Sequence, residues 1–295
     1  MNSPPGWSSV CSRACSWYPS WLPGIPPRSQ SRPLSWRRWL MSSASFSTLL
    51  ILSLGLVRAG AADRALEIMR EAERRQLTES QSNAGAIEVI DNKGKTLNKG
   101  WLFWREGNRG NSKILVRFTA PPEVRGVGFL TLNRPDGPAE QWLYTPAIQR
   151  ERRIAPQEKT QRFMGTDFTH EDMEERSIEN YDYDLLGEES YAGQASYKIK
   201  AVYRDRENTQ YSHVYLWVRK DIVATAFAEF YVGGKLRKTL SWDDWKQVQG
   251  IWTPHLVEMK DLLRGSTTRI HASDVRYNIK IEPDFFSLRN LRRAP

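Results

Sequence analysis

From Ala84 to Tyr277 the chain is written in short runs rich in β-branched and aromatic residues, alternating with a period of two. Six runs come first: Ala86–Asp91, Lys99–Arg105, Lys113–Thr119, Gly128–Asn133, Gln141–Thr145 and Arg150–Ile154. Seven more follow at Tyr181–Leu186, Ala195–Tyr203, Val214–Arg219, Ala224–Val232, Leu236–Val248, Ile251–Met259 and Thr267–Tyr277. Turn chemistry separates them, as at Asp91-Asn92-Lys93-Gly94, Glu106-Gly107-Asn108, Pro121-Pro122, Arg134-Pro135-Asp136-Gly137, Gly233-Gly234 and Gln249-Gly250. About a dozen consecutive antiparallel strands with so little helix between them dictate a strongly curved sheet or a barrel. No internal repeat and no shift of composition divides this stretch into two domains.

The pattern stops once, at Phe163 to Arg176 (FMGTDFTHEDMEER). Gly165 permits a turn that a residue with a Cβ would resist, and Thr169 followed at the third position by Asp172 is the arrangement that caps a helix start. A brief helix is therefore expected. Phe163, Met164, Phe168 and Met173 make one apolar side, while Glu171, Asp172, Glu174 and Glu175 read as a solvated face. Such a segment either lies as a lid over an apolar space or plugs an ordinary core.

Ahead of the strands, Ala62 to Glu79 reads as an amphipathic helix: Ala65, Ile68, Met69 and Ala72 recur at steps of three and four, with charged residues between them. The strands carry many large rings, among them Trp101, Phe103, Trp104, Phe129, Trp142, Tyr144, Trp217, Phe227, Phe230 and Tyr231. Either they fill a core or one sheet face lines a cavity. On the second reading the candidate lining residues are Trp104, Phe129, Trp142, Trp217 and Phe230 from the strands, with Phe163, Met164, Phe168 and Met173 from the lid. Arg150, Arg152 and Arg153, just before the lid, form a local positive cluster that can contact an anionic headgroup or pair with the lid carboxylates.

The formal net charge of +9 over 295 residues would suggest a strongly basic protein, but six of the 43 basic residues and none of the 34 acidic ones lie in the first 61 positions. The remainder is close to balanced, at +3. Cys11 and Cys15, the two cysteines, also fall in that leader, so the rest offers no disulfide, thiolate metal ligand or thiol nucleophile. Ser35 to Ala62 has the parts of a secretory signal: Arg37-Arg38, an apolar run from Phe46 to Val57, and Ala59-Gly60-Ala61 as a cleavage site. The expected division is a leader over 1–61 and a single domain over 62–295, exported and soluble in the periplasm. Residues 1–33, rich in Ser, Pro and Trp, match neither a folded domain nor a usual targeting segment, which leaves the true start codon open.

A search for catalytic signatures is negative: there is no H-E-x-x-H, no G-x-S-x-G, no P-loop and no dinucleotide fingerprint. The four histidines, His170, His213, His255 and His271, are scattered. The sequence is thus read as no enzyme, with no cofactor and no metal, and its balanced charge argues against a nucleic-acid partner.

Taken in order, several segments resemble one family. Phe163, Gly165, Thr166, Asp167, Phe168, Glu171 and Asp172 match a Phe-x-Gly-Ser/Thr-Asp-Phe-x-x-Glu-Asp pattern. Tyr144-Thr145-Pro146 with Arg152-Arg153-Ile154 precedes it, and Gly234-Lys235-Leu236 with Lys238, then Pro283-Asp284-x-Phe286-Ser287, follow it. Over Ala62 to Arg293 the sequence resembles the LolA-like outer-membrane lipoprotein-sorting proteins of Gram-negative bacteria. The resemblance implies a mainly β fold: an incomplete, half-open antiparallel β-barrel around a hydrophobic cavity, with an N-terminal helix and a short helical lid. It also implies a periplasmic carrier that takes up the acyl chains of lipoproteins or lipids for transport toward the outer membrane. The alternative is a lipid-sensing or accessory module of an envelope regulator or transporter. Implied partners are an acylated lipoprotein or lipid, an inner-membrane transporter and an outer-membrane acceptor, with the protein itself a monomer.

Overall fold

The computed structural model describes residue 60, residues 62–135 and residues 137–293. The signal segment, its cleavage site, Cys11 and Cys15 lie outside the described residues. Residues 62–75 form helix α1. Thirteen strands follow: β1 (Ser80–Ile90), β2 (Thr96–Asn108), β3 (Asn111–Ala120), β4 (Gly128–Arg134), β5 (Gly137–Thr145), β6 (Arg150–Arg153), β7 (Tyr181–Tyr191), β8 (Gln194–Tyr203), β9 (His213–Arg219), β10 (Ala224–Val232), β11 (Lys235–Val248), β12 (Ile251–Asp261) and β13 (Ser266–Tyr277). A single helical turn, α2 (Leu288–Leu291), ends the chain's ordered elements.

All thirteen strands belong to one antiparallel sheet in the order β6-β5-β4-β3-β2-β1-β13-β12-β11-β10-β9-β8-β7. The chain meanders outward from β1 to β6, crosses over, and returns from β7 to β13, which zips against β1 from Gln81↔Tyr277 to Ile90↔Thr267. β6 and β7 are left as the two sheet edges, so the sheet is open rather than a closed barrel. Two-residue turns with positive φ set the hairpins, as at Gly233 (φ +56°) and Gly234 (φ +76°), where the left-handed backbone matches the twist of the flanking strands.

One face of the sheet turns in on itself. Ile87, Trp101, Val116 and Phe129 from the first half share a buried cluster with Ala228, Leu240 and Met259 from the second, together with Phe163 and Phe168 of the segment between β6 and β7. Helix α1 covers the inner face near the β7 edge, burying Ala65 and Ala72 against Tyr183, Ile199, Ala201 and Val218. The residues that the sequence period singled out are thus the ones that pack, although the helix ends at residue 75, four short of Glu79.

β3 and β4 are buried on both faces. Val116 and Phe129 point inward, whereas Leu115 and Leu130 meet Phe286 and Leu291 of the C-terminal segment on the outer face. Fully burying a Leu or Phe side chain is worth roughly 1.5–3 kcal/mol, so packing on both faces anchors β3–β4 within the sheet. Each run with strand periodicity became a strand, most of them a few residues longer, because hairpin pairing carries the ladder into the polar flanks.

Candidate functional site

The 154–180 segment starts at one sheet edge and ends at the other, and its middle is tied across the inner face to strands far from both. Asp167, almost wholly buried, accepts hydrogen bonds from Ser266 Oγ and Thr268 Oγ1 of β13, while its own N–H donates to Thr268 Oγ1 at 2.8 Å. Lys99 of β2 donates to the Met164 carbonyl at 2.9 Å. Burial, reinforced by the Arg162 guanidinium nearby, holds the Lys99 ammonium below its usual pKa. These bonds place the segment as a strap over the curl of the sheet.

The cap expected at Thr169 is present, and the brief helix expected after it is a single 3-10 turn. Asp172 Oδ2 accepts from Thr169 N–H at 2.7 Å and from Thr169 Oγ1 at 2.8 Å, and Asp172 N–H donates back to Thr169 Oγ1 at 3.4 Å, a reciprocal cap beside one 3-10 turn, Glu171–Met173. Extended backbone at Glu174 stops it there. A correction concerns the four acidic side chains, which do not form a solvated face. Asp172 and Lys238 of β11 make a buried pair at 2.8 Å, with side-chain exposures of 5% and 3%, and Tyr211 Oη donates to the same carboxylate at 2.6 Å. Glu171 receives Arg176, Thr209 Oγ1 and both nitrogens of Gln210. Glu174 pairs with Lys159 at 2.6 Å and with Arg176 at 3.1 Å. Glu175 takes Arg105 of β2 and Ser112 Oγ.

Electrostatics follow from that pairing. Burial opposes ionisation of Glu175, yet Arg105, Arg109 and the Ser112 hydroxyl together outweigh it and hold the carboxyl below the ordinary value. For Arg176 burial again opposes the charge, and Glu174 and Glu171 overcome it, raising the pKa further. The guanidinium also lies 4.2 Å from the centre of the Tyr203 ring. Burial and the adjacent Asp172 push the Tyr211 hydroxyl well above its usual range, so it stays a hydrogen-bond donor. Burial and the Arg152 charge lower His170. The strap's acidic charges are each paired, with the sheet or within the strap, although Glu171, Asp172, Glu174, Glu175 and Arg176 also border the cavity beneath it. Among the described residues no group of three or more His, Cys, Asp or Glu is placed to hold a metal ion.

Beneath this strap lies a cavity of about 560 Å³, within the size of a small-molecule pocket. Met69, Ala72 and Leu77 of the α1 side, Leu216, Phe230, Leu240, Trp242 and Met259 of the sheet, and Phe168 of the strap contribute its apolar wall. It runs from the strap toward the end of the sheet that carries the β11–β12 turn, where Trp245 and Trp252 line it. Leu77 is 51% exposed and Trp252 37%, so the wall reaches solvent there. That end is the mouth.

Of the residues nominated from sequence, Phe168 and Phe230 line the cavity. Phe129 and Phe163 meet at a tilt of 54° with centroids 4.7 Å apart inside the main core, with Met164 and Met173 packed on it. Trp104 and Trp142 lie on the outer face against the C-terminal segment. Trp217 meets Phe227 and Lys198 on the outward side of β9, opposite its cavity-lining neighbour Leu216. The arginine cluster pairs locally, Arg152 with Glu158 and Arg153 with Glu140, while Arg150 is exposed; none pairs with Glu171, Asp172, Glu174 or Glu175. Sequence reasoning passed over Lys238, Arg105 and Lys99 as site residues. Their signal was present: each stands on the inward register of a strand among apolar residues, Lys238 two before Leu240 and Arg105 four after Trp101.

Comparison with other proteins agrees with this architecture. The structure superposes with TM-score 0.74 on a domain from Vibrio parahaemolyticus named for outer-membrane lipoprotein sorting, at 29% identity over 79% of this chain and 100% of that one. A DUF1329 family protein from Desulfovibrio piger gives TM-score 0.75 at 25% identity, covering 78% and 99%. A LolA superfamily protein from Nitrosomonas europaea shares the fold at TM-score 0.63 and 22% identity, covering 77% and 98%. No curated protein matches the chain in sequence. A family model described only as uncharacterized-protein-like matches residues 110–293, a span that takes in the strap and all but the first strands of the sheet. On these grounds the chain belongs to the LolA-like outer-membrane lipoprotein-sorting protein family.

Proposed function

We propose that this protein is a periplasmic carrier that shelters the acyl chains of a lipoprotein or lipid in its cavity and moves them toward the outer membrane. One observation carries the reading: a cavity of about 560 Å³ with an apolar wall from α1 and the inner sheet face, its strap end lined by Glu171, Asp172, Glu174, Glu175 and Arg176, whose charges are paired within the protein. An exposed acyl chain loses roughly 0.8 kcal/mol per CH₂ in water, so a carrier needs an apolar wall and a movable roof rather than a reactive group. The reading includes export through the leader and no catalytic step.

Displacement of a fluorescent fatty acid by unlabelled lipid tests it. Phe168→Asp puts a carboxylate into the wall, and Ala272→Trp, on β13 away from the strap, fills the space with a ring; both should cut probe affinity at least tenfold while circular dichroism stays native. A carrier also hands the probe to acceptor vesicles or to an outer-membrane acceptor. Unchanged affinity in both folded variants would contradict the cavity assignment, and tight binding with no transfer would contradict the carrier role.

A further inference from the structure

The pairing register divides the hairpin turns between two ends of the sheet, and the end opposite the cavity mouth has an unusual surface. The β1–β2, β5–β6, β10–β11 and β12–β13 turns all lie there, as the pairings Ile90↔Thr267, Lys238↔Asp261 and Thr145↔Arg150 require. Eight large apolar side chains are exposed among the described residues, and five of them stand on or beside these four turns: Leu97, Ile148, Val232, Leu262 and Leu263. Leu263, at the β12–β13 tip, is 78% exposed. A buried tip would explain a leucine pair, and an ordinary solvated turn would carry polar residues instead.

Cations surround these side chains. Lys93, Lys95, Arg150 and Lys235 are exposed on the same turns and have no ion pair among the described residues, and Arg264 adjoins the leucines. On these turns Asp261 is buried with Arg237 and Arg264 and Glu151 pairs with Arg292, while Asp91 Oδ1 accepts only the backbone N–H groups of Lys93 and Lys95. Asp91, Glu123, Asp205 and Glu207 are the exposed carboxylates of this end without an ion pair among the described residues, and of these only Asp91 stands on the four turns. Protruding leucines ringed by unpaired lysines match the boundary of an anionic bilayer, where apolar tips enter the acyl region and ammonium groups meet lipid phosphates.

From this juxtaposition we infer that the β12–β13 tip and its neighbouring turns are a docking surface for an anionic lipid bilayer, with Leu262 and Leu263 as the inserted pair. The inference goes beyond the cavity and does not depend on it. Its position does bear on the carrier reading: β13 leaves this tip directly into Ser266 and Thr268, which hold Asp167 of the strap, so a docked tip sits at the strap's anchor.

The test uses the chain recovered from the periplasm of an expressing host; on the proposed cleavage it lacks Cys11 and Cys15, so a Leu263→Cys variant takes an environment-sensitive label at that position alone, with intact mass confirming single labelling. Vesicles of phosphatidylcholine with and without phosphatidylglycerol are the probes. Docking predicts a blue shift with anionic vesicles, abolished in the unlabelled-competitor sense by wild type, and weakened roughly fivefold for each cation removed in Lys93→Gln and Lys235→Gln. Leu262→Ser/Leu263→Ser should reduce vesicle co-sedimentation at least tenfold and leave fatty-acid binding in the cavity unchanged. The inference is overturned by no shift at any lipid composition, by an equal shift on neutral vesicles, by full co-sedimentation of the serine variant, or by binding of this end to a purified envelope protein with none to vesicles. Unchanged fatty-acid binding in Ala272→Trp would count against the cavity and not against docking.

Discussion

Replacing Lys238 by methionine isolates the clasp that holds the strap to the sheet. The Lys238–Asp172 pair is nearly solvent-free, at 3% and 5% side-chain exposure. Removing the ammonium leaves a buried carboxylate that still accepts from Tyr211 Oη, Thr169 N–H and Thr169 Oγ1. Breaking a buried pair from one side costs roughly 3–5 kcal/mol when nothing else supports the remaining charge. Three surviving donors offset part of that, which puts the expected loss at about 2–4 kcal/mol. If the loss falls on local opening, amide exchange across 163–176 should accelerate by roughly 30- to 900-fold. Hydrogen-exchange mass spectrometry on that peptide reads this directly, with the β3–β4 amides as an internal reference. Lys238→Met with Asp172→Asn removes both charges while the amide oxygen still accepts from Thr169, and at least half of the protection should return. Unchanged exchange across 163–176, together with unchanged global stability, would refute the reasoning that the strap is clasped by this pair.

Three further outcomes follow from the geometry. Glu175 has a folded pKa held below its ordinary 4.5, so its contribution is present above that value and lost as pH falls through the lowered one; in acid denaturation curves Glu175→Gln should be less stable than wild type near neutrality and lose less between about pH 5 and about pH 3. Gly110 has φ +82°, and a Cβ there would meet Ser177 Cβ at 2.7 Å and Cα at 3.0 Å, so Gly110→Ala should cost about 2–3 kcal/mol in urea unfolding. Gly94 also has positive φ (+79°) but open space around it, and Gly94→Ala should cost only about 1 kcal/mol.

How far the sequence could be read depended on whether the information was local. Strand periodicity is local, and so are Gly233-Gly234 and the Ala65–Ala72 helical stripe; each is a property of neighbours in the chain, and each emerged where expected. Which face of a strand turns inward is set by pairing across the whole sheet, and a shift of one residue exchanges the faces. Trp104 and Trp101 are three apart in sequence and lie on opposite faces, which is why the nominated ring meets Phe285 outside while its unnominated neighbour faces the core. The lid carboxylates illustrate the same limit. Glu171, Asp172, Glu174 and Glu175 look solvated because no base stands beside them except Arg176; their partners Lys238, Arg105 and Lys159 come from β11, β2 and the strap's own start. A lysine on the apolar register of β11 hinted at a buried counter-charge, though nothing local said which one.

The central claim is an apolar cargo held under the strap, and native mass spectrometry of the chain recovered from the periplasm without detergent tests it most directly. The account predicts a bound species of phospholipid or acylated-peptide mass at about one per protein, reduced in Ala272→Trp, which fills the cavity. A bare protein mass, unchanged after incubation with phospholipid and with acylated peptide, would contradict it.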